Sequence, residues 1–307
     1  MSMRAAAAEP SLLDPARLAR FHGLVLRVPG GAGEQGGQQR VPGRADAAGL
    51  EVEAYRSYTP GDDLRHLDWN ALGRLDALLV RRFTAERRLT FHILLDASAS
   101  MRVPAGADKL RAAQELAMAL GFIALAANDG VRTAILLADG RTRVSRLHRH
   151  RQAAAAVAGE LADATGGGAL GLGAALAAHA AQHAGPGVAV VVSDLMSEVA
   201  DLERGVRALR ARRFAVILAQ VVAPGELDPG RTLRHGVLRD AESDDVHAIR
   251  LTRAALAEYR TVVEEHLAAL RALAARTGSV YGRLVAGTSV ADFITGDLAR
   301  LGLVRRR

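Results

Sequence analysis

The sequence predicts an α/β protein: a mostly parallel β-sheet with helices on both faces, joined to a small β-rich N-terminal element. Three observations carry this. From Leu89 onward, apolar runs of strand length alternate with amphipathic segments of helix length. The runs are dense in Val, Ile and Leu, as strands covered on both faces require. A chain of 307 residues, 50% hydrophobic and 24% charged, is long enough to bury such a core.

The elements follow in order. The first region runs to residue 88. Within it, Leu12 to Leu26 has room for a short helix and strand. Residues 29–49 carry seven glycines, two prolines and no aromatic residue, so they read as a mobile loop that cannot pack. Glu51 to Arg82 reads as β-rich, with the polar turn Thr59–Pro60–Gly61–Asp62–Asp63. Residues 89–307 form the second region. Strands are expected at Leu89–Leu95, Val131–Leu137, Thr142–Leu147 (an edge), Val188–Ser193, Phe214–Val222, Val246–Leu251 and Val280–Val285. Helices are expected at Lys109–Asn128, His150–Ala164, Gly173–His183, Leu202–Arg213, Ala254–Arg276 and Val290–Leu301. In the long helix from Ala254, Leu256, Tyr259, Val263, Leu267, Leu270 and Leu273 share one face.

Composition excludes several classes of chemistry. There is no cysteine, hence no disulfide framework, thiol nucleophile, Cys-ligated zinc or iron–sulfur cluster. Lys109 is the only lysine, and the glycines around it lack the spacing of a GxxxxGK[ST] phosphate loop. The net charge of +7 is therefore almost all arginine, which we read as compositional bias rather than a binding signature. The longest apolar stretch, Leu116 to Ala127, falls short of the ~20 residues that cross a bilayer. No signal-peptide pattern opens the chain, so a cytoplasmic location is the expectation.

The end of the first strand of the predicted sheet reads Asp96–Ala97–Ser98–Ala99–Ser100–Met101. Open α/β sheets bind ligands at the carboxyl ends of their strands. A DxSxS turn there aims one carboxylate and two hydroxyls at a common point, a hard-oxygen set suited to Mg²⁺ or Mn²⁺. The strand at Val188–Ser193 also ends on an acid, Asp194, and central placement of both strands would make Asp96 and Asp194 neighbours.

These residues resemble a von Willebrand factor type A domain, whose metal-ion-dependent adhesion site is built on such loops. Upstream, Tyr58–Thr59–Pro60–Gly61–Asp62–Asp63–Leu64–Arg65–His66–Leu67–Asp68–Trp69 looks like the signature of the bacterial family called domain of unknown function 58 (DUF58). Arg74, the Val80–Arg81 strand, the DxSxSM turn, Arg239–Asp240–Ala241–Glu242 and the long helix from Ala254 are similar to it too. The resemblance runs from about Leu12 to Leu303 and implies a Mg²⁺ or Mn²⁺ site at Asp96, Ser98, Ser100 and Asp194. It also implies a non-enzymatic interaction module that works with a MoxR-type AAA+ ATPase in the assembly or maturation of other proteins. Many members carry N-terminal membrane spans; no such span is legible here. One departure bears on the cation: the family's second metal loop supplies a threonine where this chain has Leu170, and Thr165 lies five residues earlier.

Other readings stand beside this one. Ser98 and Ser100 also suit helix and turn capping. Asp62, Asp63 and Asp68 read as structural, with Asp63 or Asp68 pairing Arg65 or Arg74. His179 and His183 stand at i and i+4, as two zinc ligands would, yet lack an HExxH glutamate and read as solvent-facing. His148 and His150, set among arginines, read as a solvated basic face. No GxSxG elbow and no GxGxxG in a βαβ unit is present. A pI near 10.7 raises a nucleic-acid-binding alternative, against which stand only eleven aromatic residues and arginines interleaved with acids. A metal-dependent hydrolase using Asp96 has no general base to work with.

Overall fold

The structure, a computed structural model, describes residues 11–27, 51–64, 67–84, 89–103, 108–138, 141–165, 167–183, 185–229, 235–239, 246–250 and 252–307. The loop expected at 29–49 lies outside the described residues, as do residues 65, 66 and 240–245. Two compact units are present: residues 35–88 form one, and residues 1–34 together with 89–307 form the other.

The larger unit is built on a six-stranded sheet. Its strands are β4 (Thr90–Asp96), β5 (Gly130–Leu136), β6 (Thr142–Val144), β7 (Gly187–Ser193), β8 (Phe214–Val222) and β11 (Val280–Val285), in the spatial order β11-β8-β7-β4-β5-β6. All neighbours pair in parallel except the edge strand β6, which is antiparallel to β5. This is the mostly parallel α/β sheet that the sequence predicts. The chain leaves β4 towards β5 and β6, returns to β7 on the other side of β4, and continues outward to β8 and β11. The order therefore reverses between β4 and β7, where the carboxyl ends of open sheets form a crevice.

Side-chain alternation divides the core in two. Phe91, Ile93 and Leu95 of β4 face an apolar cluster under α3 (Lys109–Ala126) and α4 (Ala154–Ala162). Leu94, with Val191 of β7 and Leu218 of β8, faces a second cluster under α5 (Leu172–Gln182), α6 (Val199–Ala211) and α8 (Arg253–Thr277). Both faces are covered, so the strands read as unbroken apolar runs. Only the C-terminal half of α8 is buried, through Leu267, Leu270 and Leu273; Tyr259 and Val262 in its first half are exposed. The single apolar face expected along the whole helix therefore packs over part of its length.

The domain boundary expected at residue 88 needs one correction. Helix α1 (Pro15–Ala19) and strand β1 (Leu24–Leu26) belong to the larger unit, because β1 pairs antiparallel with β12 (Val304–Arg306) and its side chains join the α3 cluster. Strand β10 (Val246–Arg250) pairs with β9 (His235–Arg239) in a separate ribbon outside the main sheet. The final helix begins as expected at α9 (Val290–Asp292) but widens to a π-turn over Phe293–Leu298.

The smaller unit consists of β2 (Glu51–Ser57) paired antiparallel with β3 (Leu79–Thr84), with helix α2 (Trp69–Leu75) between them. Asp68 caps α2 by accepting from the Asn70 and Ala71 amides. Asp62 accepts both guanidinium nitrogens of Arg56 and the Thr59 amide, which holds its carboxyl far below the usual carboxylate range. Asp62 and Asp68 thus hold local structure, and the partner of Asp62 is Arg56, a residue the sequence did not single out; Arg65, one of the partners expected for Asp63 or Asp68, lies outside the described residues.

Candidate functional site

Parallel pairing of β4 with β7 sets the carboxyl ends of the two strands side by side, and both acids lie there. Asp96, the last residue of β4, is 3% exposed, and Asp194, just past β7, is 4% exposed. The Ser193 hydroxyl donates to Asp96 Oδ2 at 2.6 Å, and the Ser98 amide donates to Oδ1 at 2.8 Å. Burial pushes the Asp96 carboxyl up, and the nearby charge of Asp194 adds to the shift. The Ser98 and Ser100 hydroxyls lie 2.9 Å apart, on and just before the helical turn Ala99–Arg102. The loop before α5, which holds Leu170, is drawn in where the Ala99 amide donates to the Gly168 carbonyl at 3.0 Å.

All four predicted residues thus meet at the reversal point of the sheet. Sequence reasoning missed what lies beneath them. Lys109, at the start of α3 and 1% exposed, places its ammonium 3.1 Å from Asp194 Oδ2 and 2.5 Å from Glu226 Oε1. Glu226 lies on the short helix α7 (Pro224–Leu227) and accepts from the Ala223 amide. Burial raises its carboxyl pKa. The Asp194 backbone is fixed in turn by the Gln220 side chain, which donates to its carbonyl and accepts from the Tyr281 hydroxyl. Leu195, next in the chain, adopts a left-handed φ of 53°, and His266 of α8 holds its carbonyl. The sequence did carry a signal for this network, the single lysine in a chain whose other basic residues are arginine.

The donor set tests the expected Mg²⁺ or Mn²⁺. The hydroxyl pair suits adjacent corners of an octahedron with bonds of about 2.0–2.1 Å. The rest does not fit. Leu170 packs against the apolar cluster under α5 and offers no donor, and Thr165 is exposed. Asp194 is already neutralised by a buried ammonium. A divalent ion at this corner would have to displace Lys109 or share its carboxylate.

Two histidine readings change. His148 is buried, and its ring nitrogen lies 2.9 Å from Glu160 Oε1, so it belongs to the packing of α4 rather than to a solvated basic face. His179 is 2% exposed and meets His92 of β4 in the interior, because α5 lies with that side against the sheet. It does not face solvent.

A family model described as a protein of unknown function, DUF58, matches residues 54–269. The chain belongs to the DUF58 family. It is 29% identical over 278 residues to the uncharacterized proteins Rv1480 of Mycobacterium tuberculosis and Mb1516 of Mycobacterium bovis, an alignment covering 84% of this chain and 80% of each relative. Among solved structures it is similar to the conserved hypothetical protein BatB from Bacteroides thetaiotaomicron, at 15% identity and a TM-score of 0.41 over 70% of this chain and 98% of that one. It is also similar to the VWA domain of SpRpn10, at 12% identity and a TM-score of 0.35 over 67% of this chain and 94% of that one. No helix among the described residues is long and apolar enough to cross a membrane.

Proposed function

We propose that this DUF58 protein is a non-enzymatic interaction module that engages a MoxR-type AAA+ ATPase through the carboxyl rim of its sheet, in the assembly or maturation of other proteins. The observation that carries this reading is the convergence of the DxSxS turn and Ser193–Asp194 at the point where the strand order reverses. The partner class comes from the family resemblance. The rim's buried acids are occupied by hydrogen bonds and by Lys109, an arrangement that shapes a surface rather than one poised for proton transfer. What a partner meets there is the Ser100 hydroxyl, exposed Arg102 on the same turn, and the exposed side chains of Val103 and Met196. Arg102 supplies the positive charge for an acidic group, and the two apolar side chains supply contact area. The cation inside the site is then the Lys109 ammonium, and no Mg²⁺ or Mn²⁺ is required. In the smaller unit, Tyr55, Leu64, Trp69, Leu75 and Leu78 are all exposed, from 45% to 68%, an unusual concentration of large apolar surface that suits protein contact.

The test is capture from cell lysate in Mg·ATP, read by mass spectrometry, comparing wild type with Arg102→Glu and Ser100→Ala. Arg102 is exposed and lies outside the buried network, and Ser100→Ala removes only the 2.9 Å contact with the Ser98 hydroxyl. An AAA+ ATPase retained by wild type and lost from Arg102→Glu is the expected result. Equal retention by all three proteins removes the rim as the working surface.

A further inference from the structure

At the opposite end of the sheet three imidazoles converge. His92 is the third residue of β4, about 13 Å along the strand from Asp96 at ~3.3 Å per residue. His179 lies on α5 and His183 just after it. Helical spacing stacks the latter two rings, with centroids 4.3 Å apart, and both face His92 edge-on, with centroids 5.1 and 5.2 Å away. One nitrogen from each ring can be chosen so that all three lie within 4.8 Å of one another. His92 Nδ1 and His179 Nε2 are already 2.9 Å apart.

We propose that His92, His179 and His183 form a binding site for a divalent transition-metal ion of the zinc class, with the fourth position open to a cavity. Tetrahedral zinc with Zn–N bonds near 2.0–2.1 Å sets its ligand nitrogens about 3.3 Å apart, so small ring rotations close the set around an ion. The donors are imidazoles only, which suits zinc, copper, nickel or cobalt rather than the hard cations expected at the rim. The second contact of His183 prepares it: Nδ1 donates to the His179 carbonyl at 3.1 Å, which leaves the Nε2 lone pair free to ligate. Burial and the neighbouring imidazoles hold His92 and His179 well below the usual histidine range, so their lone pairs carry no proton at neutral pH.

Protein contacts alone leave this cluster poorly satisfied. His92 and His179 are buried, yet the pair shares one hydrogen bond, and His179 Nδ1 has no partner among the described residues. Buried polar atoms are rarely left so without a reason. His92 and His183 also line a cavity of about 320 Å³ with Thr90, Arg132 and Gln182. Arg132 pairs with His92 in the β4–β5 register, and its Nε is buried without a hydrogen-bond partner among the described residues. A guanidinium beside a divalent ion disfavours a neutral fourth ligand and favours an anion that bridges the two charges.

The experiment uses the full chain stripped of metal. Calorimetric titration with ZnCl₂ is expected to give one ion per chain, and Co²⁺ is expected to give the intense visible bands of a tetrahedral site. His183→Gln, at a half-exposed position past the end of α5, keeps the fold and is expected to weaken Zn²⁺ binding at least about tenfold. His150→Ala, at an exposed histidine, leaves binding unchanged. Thiocyanate shifts the Co²⁺ spectrum of wild type but not of Arg132→Met. Absence of saturable binding overturns the proposal. So does binding that survives His183→Gln but is lost in Ser98→Ala/Ser100→Ala, since the ion would then sit at the rim. A Co²⁺ spectrum unmoved by thiocyanate in wild type overturns the open fourth position.

Discussion

Lys109 holds two carboxylates in a place where water cannot, 3.1 Å from Asp194 and 2.5 Å from Glu226 at 1% exposure. Removing one partner of a buried ion pair leaves the others charged in a poor solvent, a cost of about 3–5 kcal/mol. Lys109→Met is therefore expected to lower the melting temperature sharply. If the ammonium stands where a metal would, Mn²⁺ should recover part of that loss in Lys109→Met while leaving wild type unchanged in calorimetry and melting. A wild type that binds Mn²⁺ tightly would show that the ammonium and the ion coexist, and the metal-independent rim would be wrong. At this scale the sequence was half legible. DxSxS and Asp194 were readable because their chemistry lies in a local pattern at strand ends. Lys109, Glu226 and His92 were not, because each meets its partner across long stretches of chain: Lys109 and Glu226 are 117 residues apart, and His92 and His179 are 87 apart. Only the sheet order brings them together.

Helices α5 and α6 approach each other through glycine. A Cβ on Gly173 would stand 2.1 Å from the Asp201 carbonyl oxygen, and one on Gly205 would stand 2.7 Å from the Gly173 carbonyl oxygen. The close approach lets Asp201 of α6 accept from the Gly173 amide at 2.9 Å, satisfying a free donor in the first turn of α5. Gly205→Ala is expected to destabilise by about 1–3 kcal/mol or more, since both contacts are backbone and cannot yield cheaply. Gly159→Ala is the control. A Cβ there meets nothing within 4 Å, and the substitution in helix α4 should stabilise by about 0.4–1 kcal/mol. Chemical denaturation of the three proteins checks the pair, and a neutral Gly205→Ala would mean the helices can separate freely. Strands and helices of the larger unit were legible to within a few residues because each is a long apolar period between turn signals. Helix α2 was not: its seven residues, WNALGRL, have no buried side chain and so no amphipathic stripe to read. Strand β12 is only three residues long and ends in arginines.

For the whole molecule, charge and chain ends are the telling features. Part of the arginine excess is held in ion pairs: Arg17, Arg20, Arg56, Arg204, Arg207, Arg260, Arg276 and Arg300 each pair with an acid. A polyanion bound through these eight arginines would have to break such pairs. The two ends of the larger unit close on each other. The Arg27 amide donates to the Leu303 carbonyl at 2.7 Å, the Arg307 amide donates to Gly23 at 2.8 Å, and Leu24 to Leu26 pair with residues 304–306 between them. Leu303 and Val304, 1% and 4% exposed, fill the same cluster as Phe21, Leu24 and the buried face of α3. Deleting residues 303–307 removes two buried side chains, worth about 3–6 kcal/mol together as an upper figure. It also leaves β1 without its partner strand. Helix α3 bears the consequence, since it carries Lys109 at its first turn and packs against both β1 and the sheet. The truncated chain should therefore melt earlier than wild type. A truncated protein with wild-type melting would mean the paired ends hold nothing, and the sheet with its two helical layers is sufficient by itself.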